Sequence, residues 1–432
     1  MSAGPKQSPE APKLKTSPRP VVAVVFGTRP EAIKMIPVIR ELNLHNETIQ
    51  TVTISTGQHR QMLDQVLVPF QVTVDYDMCL MEPRQSLFAL SSHAMAAFER
   101  VLTTYKPSLV LVQGDTVTAF VGALCASYAK IPVGHVEAGL RTNNKHFPFP
   151  EEINRRLISV TTDLHFAPTE GNRQNLLREG IGAEKIFVTG NTGIDALVAA
   201  LKLRVPVKLP LLNGNRLVLL TLHRREIFGD GVREILFAVR ELATAVPDIV
   251  VLYPVHLNPN VRTPAREILS GVDNVIMTEP LDYFTFVHAM SSAHLILTDS
   301  GGVQEEAPTF GAPVLVLRKE TERPEGLQAA AVRLAGTDRS TIVRNAIMVL
   351  ANQNRCRYPA GAANNPYGDG KASARIVQQI LRFFQIPDHG IYDGLEGFRS
   401  SAQPTPCGIR VASNPQHALG EEIPAGVTRD SG

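Results

Sequence analysis

The stretch Val21-Val22-Ala23-Val24-Val25-Phe26-Gly27-Thr28-Arg29-Pro30-Glu31-Ala32-Ile33-Lys34 decides how the rest of the chain is read. It opens with six consecutive apolar residues and no polar alternation, which suits a strand buried on both faces of a sheet. Gly27 permits a tight turn, and Pro30 suits the first turn of a helix that residues 32–44 continue. Strand, turn and helix in that order form the opening unit of a parallel α/β sheet.

Working outward, the same alternation recurs. Apolar runs at 49–55, 109–112, 133–136, 164–166 and 186–188 are separated by helical stretches such as 87–105, 118–130 and 172–179. A second series of strands is expected at 217–221, 250–253, 275–277, 295–297 and 314–317. Between the two series, residues 190–212 loosen into a polar, Pro-containing stretch that reads as a linker. The fold class is α/β, with two Rossmann-like domains facing across a cleft. The first is expected over 20–190 and the second over 191–370, closed by a helix over 371–386. Residues 1–19 and 387–432 are poor in large apolar side chains and read as disordered tails.

A chain of 432 residues exceeds what one core usually supports, which agrees with two domains. With 43 basic against 41 acidic residues the net charge is +2, so nothing argues for a nucleic-acid partner. Cys79, Cys125, Cys356 and Cys407 form no C-x-x-C pair and read as free thiols in a reducing compartment. No apolar run reaches the roughly 18 residues of a spanning helix, and the N-terminus lacks a signal peptide's apolar core. A cytoplasmic protein with no membrane partner is expected.

Ligands of parallel α/β sheets bind beyond the carboxyl ends of the strands. Arg29 and Lys34 fall there after the first strand, close to a helix N-terminus that favours an anion. In the second half, Thr298-Asp299-Ser300-Gly301-Gly302 follows a strand, and its glycines let backbone N–H groups approach a diphosphate. Glu306, one turn further on, could accept both hydroxyls of a ribose. No G-x-G-x-x-G follows any strand, and Gly370-Lys371-Ala372 lacks the Ser or Thr of a phosphate loop. The expected ligand is therefore phosphate-bearing but is neither NAD nor ATP. No cofactor and no metal are expected.

Carboxylates collect at strand ends in the first half: Asp115, Glu137 and Glu151, the last beside Glu152. Singly, Asp115 or Glu151 could cap a helix and Glu137 could pair with Arg141. Together, on one side of a sheet, they suit general acid/base work. His223, in Thr221-Leu222-His223-Arg224-Arg225-Glu226, follows a strand of the second half and could donate to a leaving phosphate oxygen.

Seven motifs then occur in a known order. They are Gly27-Thr28-Arg29-Pro30-Glu31-Ala32-Ile33-Lys34, Gln113-Gly114-Asp115-Thr116, Gly134–Thr142, Pro150-Glu151-Glu152, His223-Arg224-Arg225-Glu226, Asp299–Glu306 and Asn365–Gly370. Over about residues 20–386 the chain resembles the non-hydrolysing UDP-N-acetylglucosamine 2-epimerases, whose fold many nucleotide-sugar glycosyltransferases share. The resemblance implies reversible inversion at carbon 2 to UDP-N-acetylmannosamine, by elimination and re-addition of UDP through a 2-acetamidoglucal. It assigns Asp115, Glu137 and Glu151 as acid/base candidates and His223 to the leaving diphosphate. It also assigns Arg29, Lys34, Ser300, Gly301, Gly302 and Glu306 to the nucleotide, and Phe286 to the neighbourhood of the uracil. A homodimer is implied as well. So is a regulatory site for a second UDP-N-acetylglucosamine, at Gln58, Gln61, Arg84, Gln85, Arg224 and His256. The alternatives are a UDP-sugar glycosyltransferase of the same fold, a hydrolysing epimerase and a catalytically dead nucleotide-sugar sensor.

Overall fold

The computed structural model describes residues 19–57, 60–82, 85–146, 148–210, 214–352 and 360–400, without the side chains of 60–62. Residues 1–18 and 401–432, both read as tails, lie outside the described residues. So do Gln58, Arg84, Cys356 and Cys407.

The first half runs β1 (Val21–Phe26), α1 (Arg29–Asn43), β2 (Gln50–Ser55), α2 (Arg60–Leu67), β3 (Tyr76–Asp77), α3 (Leu87–Tyr105), β4 (Leu109–Gln113), α4 (Val117–Tyr128), β5 (Val133–Val136), α5 (Glu151–Thr161), β6 (Leu164–Ala167), α6 (Glu170–Arg178), β7 (Ile186–Val188) and α7 (Thr192–Lys202). Its strands form one parallel sheet in the order β3-β2-β1-β4-β5-β6-β7. The second half runs β8 (Arg216–Thr221), α8 (Asp230–Ala245), β9 (Ile249–Pro254), α9 (Pro259–Leu269), β10 (Val275–Thr278), α10 (Tyr283–Ser292), β11 (Leu295–Thr298), α11 (Gly301–Glu306), β12 (Val314–Val316), α12 (Pro324–Gln328), β13 (Val332–Leu334), α13 (Arg339–Ala351) and α14 (Ala372–Phe383). Its sheet, also parallel, has the order β10-β9-β8-β11-β12-β13.

Both sheets reverse their winding at one place, between β1 and β4 and between β8 and β11. A crevice opens at such a reversal, beyond the strand ends. Gly27–Lys34, Asp115, His223 and Ser300–Glu306 all follow these four strands. The strands read as buried apolar runs because helices cover both faces: Val22, Val24 and Phe26 look one way, and Ala23 and Val25 the other. The core is continuous between the halves, where Phe70 after α2 packs on Phe284 of α10 with ring centroids 5.5 Å apart.

Two expectations need correction. The stretch 190–212 is not all linker. Asn191 caps α7, whose Ile194, Ala196, Leu197 and Ala200 are buried. α7 packs on α1 and also touches α10 and α11 of the second half. Its apolar residues sit between polar ones, so the composition reads as loose although one face is apolar. Residues 387–400 are likewise not a tail. Tyr392 and Phe398 are buried, and Phe398 N donates to Val188 O at 2.8 Å. Two isolated aromatic anchors hold this segment, and they leave no periodic signal. The edge strands β3 and β13 are too short to stand out in the sequence. Among the described residues, no helix is long and apolar enough to cross a membrane.

Candidate active site

At the end of β1 the Gly27–Arg29 turn is held by Glu31. Its buried carboxylate accepts Gly27 N (3.2 Å), Thr28 N (2.7 Å), Thr28 Oγ1 (2.8 Å) and Thr116 Oγ1 (2.6 Å). This is a capping box extended to α4, so one carboxylate aligns the loops after β1 and β4. Burial raises the Glu31 carboxyl above its usual range, against the bonds from Thr116 and Thr28. Gly27 is required by space, because a Cβ there would lie 2.3 Å from Thr56 Oγ1 and 2.5 Å from Thr118 Oγ1.

The three acid candidates do converge. Asp115 pairs with Arg155 of α5, and Asn154 Nδ2 donates to Asp115 O at 2.9 Å. Burial raises the Asp115 carboxyl. Arg155 opposes that shift, while the nearby Glu137 and Glu151 carboxylates add to it. Glu137 occupies the left-handed backbone region (φ 68°), uncommon for a residue with a side chain. It receives Lys34 Nζ at 2.6 and 2.8 Å and the amide of Gln113. The pairing of Glu137 with Arg141 does not occur: Arg141 clasps Glu179 at 2.8 and 2.7 Å. Asp115 is not a cap either, since Thr116 caps α4. Glu152, beside Glu151, is fully buried and accepts Thr142 N and Asn143 N, a structural role.

Lys34 was expected to bind the ligand's phosphates, but here its ammonium is committed to Glu137. Burial alone would lower its pKa; Glu137 and then Glu305 outweigh that and raise it. Arg29 makes no ion pair among the described residues.

From the second half, His223 Nδ1 stands 2.9 Å from Oδ1 of the buried Asp299. Arg323 reaches across the start of α11, where a Cβ on Gly301 would lie 2.4 Å from its guanidinium carbon. Arg323 pairs with Glu305 at 2.7 Å and Glu322 at 2.5 Å, and Glu322 also meets Arg224 and Arg318. Ser300 caps α11, and Glu306 sits behind it with its carboxyl raised to about 7. Burial is the main cause and Glu305 the next, with Lys34 opposing. Alternating charges from both halves therefore meet in the cleft.

Lys34, Asp115, Glu137, Glu151 and Arg155 line one cavity of about 310 Å³ with Arg224, Glu322 and Arg323 of the second half. His223, Ser300, Gly301, Gly302, Glu306, Arg29 and Phe286 do not line it. Phe286 is half-buried and packs on the core. Of the expected regulatory residues, Arg224 is on the cavity wall, and the ring of His256 lies 6.2 Å from that of His223. Gln85 stands apart, its amide 3.3 Å from His93 Nδ1, and Gln61 belongs to α2.

Sequence reasoning missed Arg155, Arg323 and Asp299. Arg155 carried a signal, lying one helical turn after Glu151. Arg323 comes from an irregular loop and carried none.

The family model described as UDP-N-acetylglucosamine 2-epimerase matches residues 41–381. The chain belongs to this family. The UDP-N-acetylglucosamine 2-epimerase of Neisseria meningitidis is 48% identical over 372 residues, covering 84% of this chain and 99% of its own length. The N. meningitidis enzyme solved with UDP-GlcNAc superposes with a TM-score of 0.77 at 46% identity, over 84% of this chain and all of that one. A Methanocaldococcus jannaschii 2-epimerase solved with UDP-GlcNAc and UDP gives 0.70 at 34%, over 84% and 99% of the two chains. Like these epimerases, the chain carries two facing parallel-sheet domains.

Proposed function

We propose that the protein interconverts UDP-N-acetylglucosamine and UDP-N-acetylmannosamine without releasing the free sugar. The observation that carries this reading is the cavity in which Asp115, Glu137 and Glu151 of one half meet Arg224, Glu322 and Arg323 of the other. Family membership and the UDP-GlcNAc-bound relatives support the substrate class.

The proton on carbon 2 is not acidic, because its neighbour is an acetal carbon. A carboxylate takes that proton as the bond from carbon 1 to the UDP oxygen breaks, and the electron pair of the C–H bond becomes the new C1–C2 double bond. UDP leaves with the electrons of the broken bond. Arg323 and the α11 N-terminus stabilise the negative charge that builds on the diphosphate, and His223 donates to it. Protonation of the 2-acetamidoglucal on its other face and re-addition of UDP complete the inversion. Opposite faces require acid/base groups on both sides of the ring, which suits several carboxylates around one sugar. Glu306 accepts the ribose hydroxyls.

A glycosyltransferase of the same fold would need an acceptor and one dominant base. Turnover in heavy water without added NAD or metal separates the two. Deuterium should enter carbon 2 of both UDP-N-acetylhexosamines, and turnover that leaves carbon 2 unlabelled would remove the proposed chemistry.

The reading includes a homodimer. An apolar groove between α3 and α4, lined by Met95, Leu102, Tyr128 and Ile131, supports it as a seat for a second copy. Sedimentation of a monomer at micromolar concentration would contradict it.

A further inference from the structure

The chain leaves the first sheet after β7 and returns to it in α14, and the two crossing segments lie side by side. Asn191 N donates to Tyr367 O at 2.8 Å, and a Cβ on Gly190 would lie 3.4 Å from Gly368 Cα. Gly190 and Gly370 both hold positive φ (87° and 79°), where a side chain would be strained. Arg375, in the first turn of α14, binds both crossings. Its Nη1 donates to Thr189 O at 3.0 Å, and its two terminal nitrogens clasp the Asp369 carboxylate at 2.7 and 2.6 Å.

The fourth bond of that guanidinium goes elsewhere. Arg375 Nε donates to Glu396 O at 2.6 Å, and the Phe398 ring lies 5.8 Å from its central carbon. Glu396 and Phe398 come after α14, beyond residue 381 where the family match ends. Their segment is anchored at both ends. Tyr392 OH donates to Glu41 at 2.9 Å and meets His45 Nε2 at 2.8 Å, while Phe398 N donates to Val188 O at the end of β7. Phe398 also covers Gly190, whose Cβ would lie 3.5 Å from the ring.

We propose that residues 387–400 form a strap that sets the angle between the two halves, making Arg375 and Phe398 positioning residues for the reaction in the cleft. Domain closure is absorbed by a few dihedral angles in crossing segments such as these. Here one buried guanidinium ties the two crossings together, and the strap holds it dry and oriented. A guanidinium opened to water makes weaker bonds, because the local dielectric rises. The crossings would then sample more angles, fewer molecules would present a complete cleft, and apparent affinity would fall by that fraction. The kinetic arm of this inference rests on the epimerase reading; the exchange arm does not.

The test uses the full-length chain with Phe398→Ala and, as the conservative variant, Phe398→Tyr. Amide exchange at 189–191 and 367–371 should quicken about tenfold in Phe398→Ala, with the sheet cores unchanged. KM for UDP-N-acetylglucosamine should rise roughly 3- to 10-fold with kcat held within about twofold, and Phe398→Tyr should restore both. Wild-type exchange at the crossings in a folded Phe398→Ala chain would reduce the strap to a cover and overturn the proposal. Faster exchange with an unchanged KM would overturn the positioning role. Should Phe398→Ala fail to fold, Phe398→Leu is judged by the same two measurements. A wild-type chain without turnover would sink the epimerase reading and leave exchange alone to judge the strap.

Discussion

Oδ1 of Asp299 lies 2.9 Å from Nδ1 of His223, and its other oxygen accepts the backbone N–H groups of His223 and Arg224 at 2.7 and 2.8 Å. Asp299 directly follows β11 and His223 follows β8, its neighbour in the sheet, so strand pairing brings them together. The Nδ1–Oδ1 approach is close without being aligned as a hydrogen bond, so the buried carboxylate orders the His223 loop through its two backbone bonds and sets a negative charge beside the ring.

Asp299→Asn keeps the shape but removes the negative charge beside the ring. The expected outcome is a fall in kcat on the order of 10²-fold with KM little changed. Steady-state rates check this; near-normal turnover in the folded variant would make Asp299 a strand-end brace and nothing more.

Asp115→Asn and Glu137→Gln each remove one of the proposed acid/base groups from the cavity. Each should lower turnover roughly 10²–10⁴-fold while UDP binding and circular dichroism stay close to wild type. Folded variants with normal rates would return both residues to structural roles.

Glu306 gives a pH signature. Its carboxyl is raised to about 7 mainly by burial, and ribose hydroxyls would favour the ionised form. Binding of UDP-N-acetylglucosamine, whose diphosphate diester does not titrate near neutrality, should therefore release a proton. Affinity should rise with pH up to about 7, fall by up to roughly tenfold per unit below it, and lose this slope in Glu306→Gln. Calorimetry in buffers of different protonation enthalpy reads the proton directly, and binding without proton release would refute the assignment.

The parts of the fold that were legible are those where burial dominates composition. β1, β4, β8 and β11 are continuous apolar runs because both faces are covered, and the candidate cavity opens beyond their ends. Three features stayed hidden for physical reasons. Lys34 looked like a free cation beside a helix start, yet a left-handed Glu137, 103 residues further on, turns its carboxylate onto it. Arg323 arrives from a loop whose path no local pattern encodes. The strap after α14 is held by Tyr392 and Phe398 alone, so a composition rule that reads tails from polar content passes over it.

We propose that Arg224 and His256 serve regulation. They flank His223, which suits a second nucleotide sugar bound against the first. Such a molecule acts only if it prefers one arrangement of the halves. The rate should then be sigmoidal in UDP-N-acetylglucosamine, and His256→Ala should make it hyperbolic with the carboxylate chemistry retained. A hyperbolic wild-type curve would leave the chain without this second site.

The packing of α14 on α1 fixes an order of events during synthesis. α1 is among the first helices translated and α14 among the last, and Tyr392 bonds Glu41 across 351 positions. At ribosomal speed the flank of α1 that α14 covers stays bare for tens of seconds. A nascent chain stalled after β7 is therefore a sticky intermediate, and the second half must be complete before the first can bury its own helix.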